Sequence, residues 1–222
     1  MDFIFPEIPE WKEAHHLIQS GIIGKISNIN VDWKFMSHDL KNNINSWKTN
    51  VNDGGGALSF YFSHVFYYLE NFLGRIKTID CNFSFSKKNI QNGETGVQMT
   101  LLFENNCVGK INLDISYTGQ QKHLLEFIGE TSSLYLDNNT TNFVDGFELY
   151  VNKMGKIQKI VPEISFDTSF ENLEDPRIKI VIPIAIRFIN WCNNGVKTKP
   201  DFQDGLRVQE LIEKTRDSIQ ND

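Results

Sequence analysis

The sequence is poor in cysteine: Cys81, Cys107 and Cys192 are its only three, and none stands in C-x-x-C spacing. Neither a disulfide framework nor a zinc ribbon can organise such a chain, and a reducing, cytoplasmic setting is expected. A basic surplus is also missing. Lys and Arg total 22 against 28 Asp and Glu, so the formal charge is -6 and the positive face that phosphate backbones require is absent; no nucleic-acid partner is expected. No basic segment followed by an apolar run opens the chain. The longest apolar stretch, residues 178–192, carries Lys179 and Arg187, so neither a signal peptide nor a membrane span is expected. No G-x-G-x-x-G occurs, which removes the usual dinucleotide-binding turn. His15 and His16 are adjacent, His38, His64 and His123 are scattered, and no pair has i, i+4 spacing with a third ligand in view, so no metal site is expected.

The rest of the composition is ordinary for a globular protein. Hydrophobic residues make up 40% and charged ones 23%, which disfavours both disorder and a fibrous class, and 222 residues without an evident linker suit a single domain over 1–222. Trp11, Ala14, Leu17 and Ile18 recur at helical spacing, predicting a helix over 10–20 that Gly21 stops. Residues 25–35 shift to period two and predict a half-buried strand. The polar stretch 37–53, with Trp47 its one large apolar residue, reads as a long irregular connection, and such loops are often functional. Residues 57–72 come after Gly54-Gly55-Gly56 and read as a largely buried helix ended near Gly74.

From 75 to 151 the pattern is alternation interrupted by turn residues, which predicts strands over 76–86, 96–104, 108–117, 123–129, 133–137 and 147–151. Helices return after Pro176 up to Gly195, with Pro183 expected to kink the first or mark its start, and again over 206–219. Helices before and after a run of strands predict an α+β fold, a mainly antiparallel open sheet with helices packed on one face. Phe83, Phe85, Met99, Leu101 and Phe103 crowd these strands, so both sheet faces read as partly apolar. An exposed apolar face marks an association surface, so a homodimer through the open sheet face is expected; the alternative is an ordinary two-sided core.

Several separated pieces, in order, carry a resemblance. Residues 17–26, Leu-Ile-Gln-Ser-Gly-Ile-Ile-Gly-Lys-Ile, are succeeded by Ser46-Trp47-Lys48, by Gly54-Gly55-Gly56-Ala57-Leu58, and by His64, Leu69, Leu73 and Gly74. Further on come Phe103-Glu104-Asn105-Asn106-Cys107-Val108-Gly109, the turn over 127–134, and Asp204-Gly205-Leu206-Arg207-Val208-Gln209. Together they resemble the C-terminal domain of the Gfo/Idh/MocA family, named for glucose-fructose oxidoreductase and inositol dehydrogenase, across nearly the whole chain.

The resemblance implies a substrate and dimerisation domain of an NAD(P)-dependent oxidoreductase acting on a sugar, cyclitol or related hydroxy compound. In that family NAD(P) belongs to an N-terminal Rossmann domain, and a general-acid lysine lies in a Glu-Lys-Pro motif just ahead of the second domain. Neither motif occurs in this sequence, so the chain alone is expected to bind no cofactor and a Rossmann-domain partner is implied. The family helix typically reads G-G-G-x-L-x-D-x-G-x-H. Here Phe60 stands at the aspartate position, Phe62 at the second glycine, and His64 is kept.

The resemblance assigns His64 to proton transfer or hydrogen bonding at the reacting hydroxyl; a core histidine satisfied by a backbone carbonyl is the alternative. Trp47, Lys48 and Phe60 are the substrate-binding candidates: an aromatic wall at 60, and a cation at 48 suited to a carboxylate or phosphate. Their alternatives are core packing for Phe60, a loop anchor for Trp47 and a solvated lysine. Two functions stay open, the substrate half of a dehydrogenase and a non-catalytic binding or dimerisation module that keeps the fold.

Overall fold

The computed structural model describes residues 2–87, 89, 92–163 and 175–220; Met1, where the resemblance places the start of the second domain, lies outside them. A short 3-10 turn, Phe5–Glu7, leads into α1, Pro9–Gln19. Pro9 starts this helix because its fixed φ suits a first turn and its missing N–H needs no partner there. Trp11 and Ala14 are buried, and Leu17 and Ile18 pack against the core, as the helical spacing requires.

Eight strands form one sheet: β1 (Ile26–Lys34), β2 (Ile76–Ser84), β3 (Gly96–Phe103), β4 (Val108–Asp114), β5 (Lys122–Gly129), β6 (Ser133–Asn138), β7 (Glu148–Lys153) and β8 (Lys156–Ile160). Their order is β2-β3-β4-β1-β5-β6-β7-β8. All neighbouring pairs are antiparallel except β1 and β4, which run parallel at the centre. The chain is thus α+β with a mainly antiparallel open sheet.

β8 was not expected from the sequence. It closes a hairpin in which Lys153 pairs with Lys156 across Met154-Gly155, both at positive φ (52° and 83°). That is the two-residue turn whose twist matches a hairpin, normally signalled by Asn-Gly or Asp-Gly; methionine in the first place hides it.

The helical layer covers one face. α1 packs near β6 and β7, while α3 (Ser63–Leu73) and α5 (Phe202–Gln220) pack on each other, with α5 over β2. Beneath them Ile29, Val31, Val97, Met99, Leu101, Phe103, Ile111, Leu113, Leu125, Phe127, Leu134 and Leu136 form the core. This corrects the reading of both sheet faces as partly apolar on the β1 to β4 half; on β5 to β7 the open face does carry Leu124, Ile128, Tyr135 and Tyr150, half-exposed. Phe83, Met99, Leu101 and Phe103 are all odd-numbered, and the pleat sends them to the helix-covered side. Phe85, 64% exposed, lies beyond the end of β2. On the β1 to β4 half, the opposite face carries Asn30, Asp32, Asp80, Asn82, Gln98, Thr100, Lys110 and Asn112 around a groove.

The loop read as irregular holds a short helix, α2 (His38–Lys41), and two 3-10 turns, Trp47–Thr49 and Val51–Asp53. α4 (Ile178–Asn194) runs through Pro183 and ends on Gly195 in the left-handed region. It keeps Ile178, Val181, Ile186, Phe188 and Ile189 exposed. Arg187 ties it to the N-terminal turn through the buried carboxylate of Glu7, with Lys12 on the same carboxylate at 3.0 Å. Among the described residues no helix is long and apolar enough to cross a membrane.

Candidate functional site

The three glycines are required by the groups that approach them. Gly54 ends the second 3-10 turn at φ +77°, where an L side chain is strained. A Cβ on Gly55 would lie 1.9 Å from the carbonyl oxygen of Trp47, so this glycine lets the preceding loop fold back on itself. Gly56 has φ +114°, and its Cβ would meet the Glu94 carboxylate at 2.2 Å. Glu94 is 2% exposed; its Oε1 accepts the Leu58 N–H at 3.0 Å and its backbone oxygen accepts the Ala57 N–H at 2.9 Å. It therefore caps the next helix, where negative charge is favoured. Burial pushes its carboxyl pKa up, opposed by hydrogen bonds from its own backbone N–H and that of Leu58 and by Arg216. Arg216 donates to Ser59 Oγ at 2.8 Å and to the Gly55 carbonyl at 3.3 Å, pinning the same turn from α5.

The turn so fixed is a π-helical segment, Leu58–Phe62, running into α3. A single π turn often marks a functional site, and its wider winding shifts the phase of the adjoining helix. The i, i+4 relation of Phe60 to His64 therefore does not place them on one another. Phe60 packs against Trp47 and Tyr61, His64 against Phe3 and Phe5, and the two share no ring partner among the described residues.

Trp47, Lys48 and Phe60 are brought together. The Trp47 ring meets Phe60 edge-on at 5.5 Å and is 53% exposed, so it lies open to solvent on one side. The Lys48 ammonium lies 4.7 Å from the Phe60 ring centroid. Tyr61 packs edge-on to Phe60 at 4.7 Å and reaches Phe35 and Trp33. Its hydroxyl is pushed up to about 12 by burial, with Asp39 adding to the shift.

His64 is half-buried and makes no hydrogen bond with the described residues. Its Nδ1 is sealed from solvent without a partner, so a core histidine satisfied by a backbone carbonyl is not the arrangement the fold provides. Burial among Phe3 and Phe5 pushes its pKa down, against a weaker pull from Asp2. At neutral pH the ring is therefore neutral, able to accept a proton at one nitrogen and donate from the other.

His123, expected only to begin a strand, is buried behind this site. It stacks on Trp33 at 4.4 Å, meets Phe5 edge-on, and has Tyr68 Oη 3.5 Å from Nε2; burial holds its pKa down at about 3. Sequence reasoning missed this support, together with Phe3, Phe5, Glu94 and Arg216. The available signals were the aromatic residues ahead of Pro6, and an acid just before the strand that begins at Gly96.

A dinucleotide does not fit the triple glycine. The segment comes after a 3-10 turn instead of a strand, and the space above Gly55 and Gly56 is filled by the Trp47 carbonyl and the Glu94 carboxylate, leaving no cradle for a phosphate. Among the described residues no group of three or more His, Cys, Asp or Glu side chains could hold a metal ion.

Comparison with known proteins points one way. Residues 15–222 match the family described as "Oxidoreductase family, C-terminal alpha/beta domain". An uncharacterized oxidoreductase of Synechocystis sp. is 26% identical over 99% of this chain and 62% of its own length. The fold is similar to a putative NADPH-dependent oxidoreductase from Desulfitobacterium hafniense, with a TM-score of 0.80 at 13% identity over 99% of this chain and 62% of that one. It is also similar to levoglucosan dehydrogenase in complex with NADH and L-sorbose, with a TM-score of 0.79 at 18% identity over 99% of this chain and 63% of that one. The chain thus spans about three-fifths of the length of these relatives. With its sheet order, glycine turn and retained histidine, the chain belongs to the Gfo/Idh/MocA oxidoreductase family through that family's C-terminal domain.

Proposed function

We propose that this chain is the substrate-facing half of an NAD(P)-dependent oxidoreductase acting on a sugar, cyclitol or related hydroxy compound, and that a Rossmann half supplies the nicotinamide. The observation that carries this reading is His64. It is a half-buried, neutral imidazole without a hydrogen bond among the described residues; its Nδ1 is sealed from solvent, so Nε2 is the nitrogen offered to a substrate, on the helix that succeeds the family's glycine turn. In the proposed role it holds the substrate hydroxyl and exchanges its proton, while Trp47, Lys48 and Phe60 line the approach. The apolar side of α4 supports the missing half: five large side chains stay exposed on a helix held next to the N-terminal turn, and a packed domain would cover them.

The test joins this chain to a nucleotide-binding half ending in Glu-Lys-Pro and monitors NAD(P)H fluorescence with a panel of hydroxy compounds. Turnover that falls at least about a hundredfold in His64→Ala supports the reading. Turnover untouched by that change refutes the role of His64. The isolated chain should show no NAD(P) binding by calorimetry, and tight binding there would contradict the division of labour.

Phe60 favours a second reading, a non-catalytic binding or dimerisation module, because phenylalanine cannot ionise or hydrogen-bond where the family pattern has an acid. Absence of turnover with every compound, together with a stable dimer, supports it. In either reading the chain is cytoplasmic and pairs as a homodimer through the open sheet face. The surface involved is polar near β1 to β4, with Leu124, Ile128, Tyr135 and Tyr150 half-exposed on β5 to β7. Light scattering that finds only monomer would remove the dimer.

A further inference from the structure

We infer that the hydroxy compound taken by this site carries an anionic group, a carboxylate or a phosphate, received by Lys48 while Trp47 and Phe60 cover an apolar face of the ligand. This rests on the substrate-facing reading above and narrows it.

The starting point is how lysines are partnered here. Among the described residues, Lys12, Lys34, Lys48, Lys122 and Lys179 are half-buried. Four of them lie against carboxylates: Lys12 on Glu7, Lys34 and Lys122 on Asp32, Lys179 on Asp145. Lys48 has, among the described residues, no carboxylate within ion-pair distance and no hydrogen-bond acceptor; its one contact is the face of Phe60. An ammonium has three donors, and a ring face satisfies none of them as an acceptor would.

The neighbouring acid is already engaged. Asp39 takes the Ser46 hydroxyl at 2.5 Å on Oδ2 and lies 3.4 Å from His38 Nδ1 on Oδ1. Lys48 contributes to lowering the Asp39 pKa only through the field, behind the Ser46 hydrogen bond. The residue at position 60 decides the rest. An acid there would lie under the Lys48 ammonium and neutralise it; phenylalanine leaves the cation over and gives the site an apolar floor. Trp47, edge-on to that floor and open to solvent, makes the second wall. One unpaired cation over the Phe60 ring, with Trp47 edge-on to that ring, suits a molecule with a charged group at one end and a ring face beside it.

The test titrates D-glucuronate and glucose 6-phosphate against D-glucose and myo-inositol into the purified full chain, alone and with the nucleotide-binding half added, by calorimetry at low salt. Both acids should bind at least about tenfold more tightly than the neutral compounds, the size of one charge-assisted hydrogen bond. That preference should shrink with added salt, vanish in Lys48→Gln and persist in Lys48→Arg. Preference for glucuronate alone or for the phosphate alone identifies which anion is recognised, and both results support the assignment. Neutral compounds binding as tightly as the acids, or a preference that survives in Lys48→Gln, overturns it while leaving the substrate-facing reading intact. No binding of any compound in either format overturns both.

Discussion

Replacing Gly56 by alanine tests the frame on which the candidate site is built. Two costs add. The backbone at φ +114° is one that L residues rarely adopt, a strain of about 1 to 3 kcal/mol. The new methyl would also stand 2.2 Å from Glu94 Oε1, so the carboxylate must leave the Leu58 N–H that it holds at 3.0 Å; losing a hydrogen bond to a charged group costs about 1.5 to 3 kcal/mol. The expected loss is therefore about 2.5 to 6 kcal/mol, a large share of the stability of an ordinary domain. Gly54→Ala is the control. Its φ is +77°, yet a Cβ there meets nothing within 4 Å, so only the strain of about 1 to 2 kcal/mol applies. Urea unfolding monitored by tryptophan fluorescence reads both, as a shift in midpoint at constant slope. If Gly56→Ala costs no more than Gly54→Ala, Glu94 is not braced against the turn and the account of the glycine motif fails. Glu94→Ala should relieve part of the Gly56→Ala penalty, a coupling that a double-mutant cycle measures directly.

Other parts of the fold set three further outcomes. His123 has its pKa lowered to about 3, so the unfolded chain binds a proton there that the folded one does not; its contribution to stability is full above about pH 6.5 and is lost as pH falls toward 3. Wild type should therefore lose stability relative to His123→Phe by about 1.4 kcal/mol per pH unit between roughly pH 6 and 4, and equal slopes in urea titrations would refute the buried neutral imidazole. Arg187→Ala removes the guanidinium from the buried Glu7 carboxylate; with Lys12 still present the loss should be about 2 to 3 kcal/mol, below the range for an unpaired buried charge, and a thermal melt within a degree of wild type would contradict it. Met154→Asn should stabilise by about 0.5 to 1 kcal/mol, because Met154 is 92% exposed at φ +52° in a turn that favours asparagine; a lower melting temperature would show that the hairpin turn is misassigned.

The strands β1 to β7 were legible because their alternation is set by burial of one face, and burial of one face is preserved by the observed register. Misreading the other face of the β1 to β4 half came from counting Phe83, Met99, Leu101 and Phe103 as a crowd without asking their parity. All four share one side of the pleat, and their even-numbered neighbours Asn82, Gln98 and Thr100 are the exposed ones. β8 escaped because Met154-Gly155 does in structure what Asn-Gly announces in sequence. For the site, the glycine turn and His64 could be read locally, and so could the cluster at 47, 48 and 60. Glu94 and Arg216 could not, since each acts across a large sequence separation and neither belongs to a pattern. The π turn was equally hidden: Glu94 holds the Leu58 N–H and Arg216 the Ser59 hydroxyl where it begins, and the apolar run itself is compatible with an ordinary helix.

The placing of β1 at the centre of the sheet carries a consequence for how the chain is made. Asn28 pairs with Val108 on one side and Ile29 with Phe127 on the other, so β1 has no partner strand to join until β4 and β5 have emerged behind it. During that interval Trp33 of β1, with Tyr61 and Tyr68, which the finished fold packs on Trp33 and on Trp11 of α1, belongs to a nascent chain with little to bury it. Folding that depends on such distant pairing is slow and exposes sticky surface while it waits. Synthesis of this protein should therefore lean on ribosome-associated holding chaperones until β5 emerges, and pulsed protease digestion of stalled nascent chains should find residues up to 117 sensitive and the same residues protected once 129 has cleared the exit tunnel.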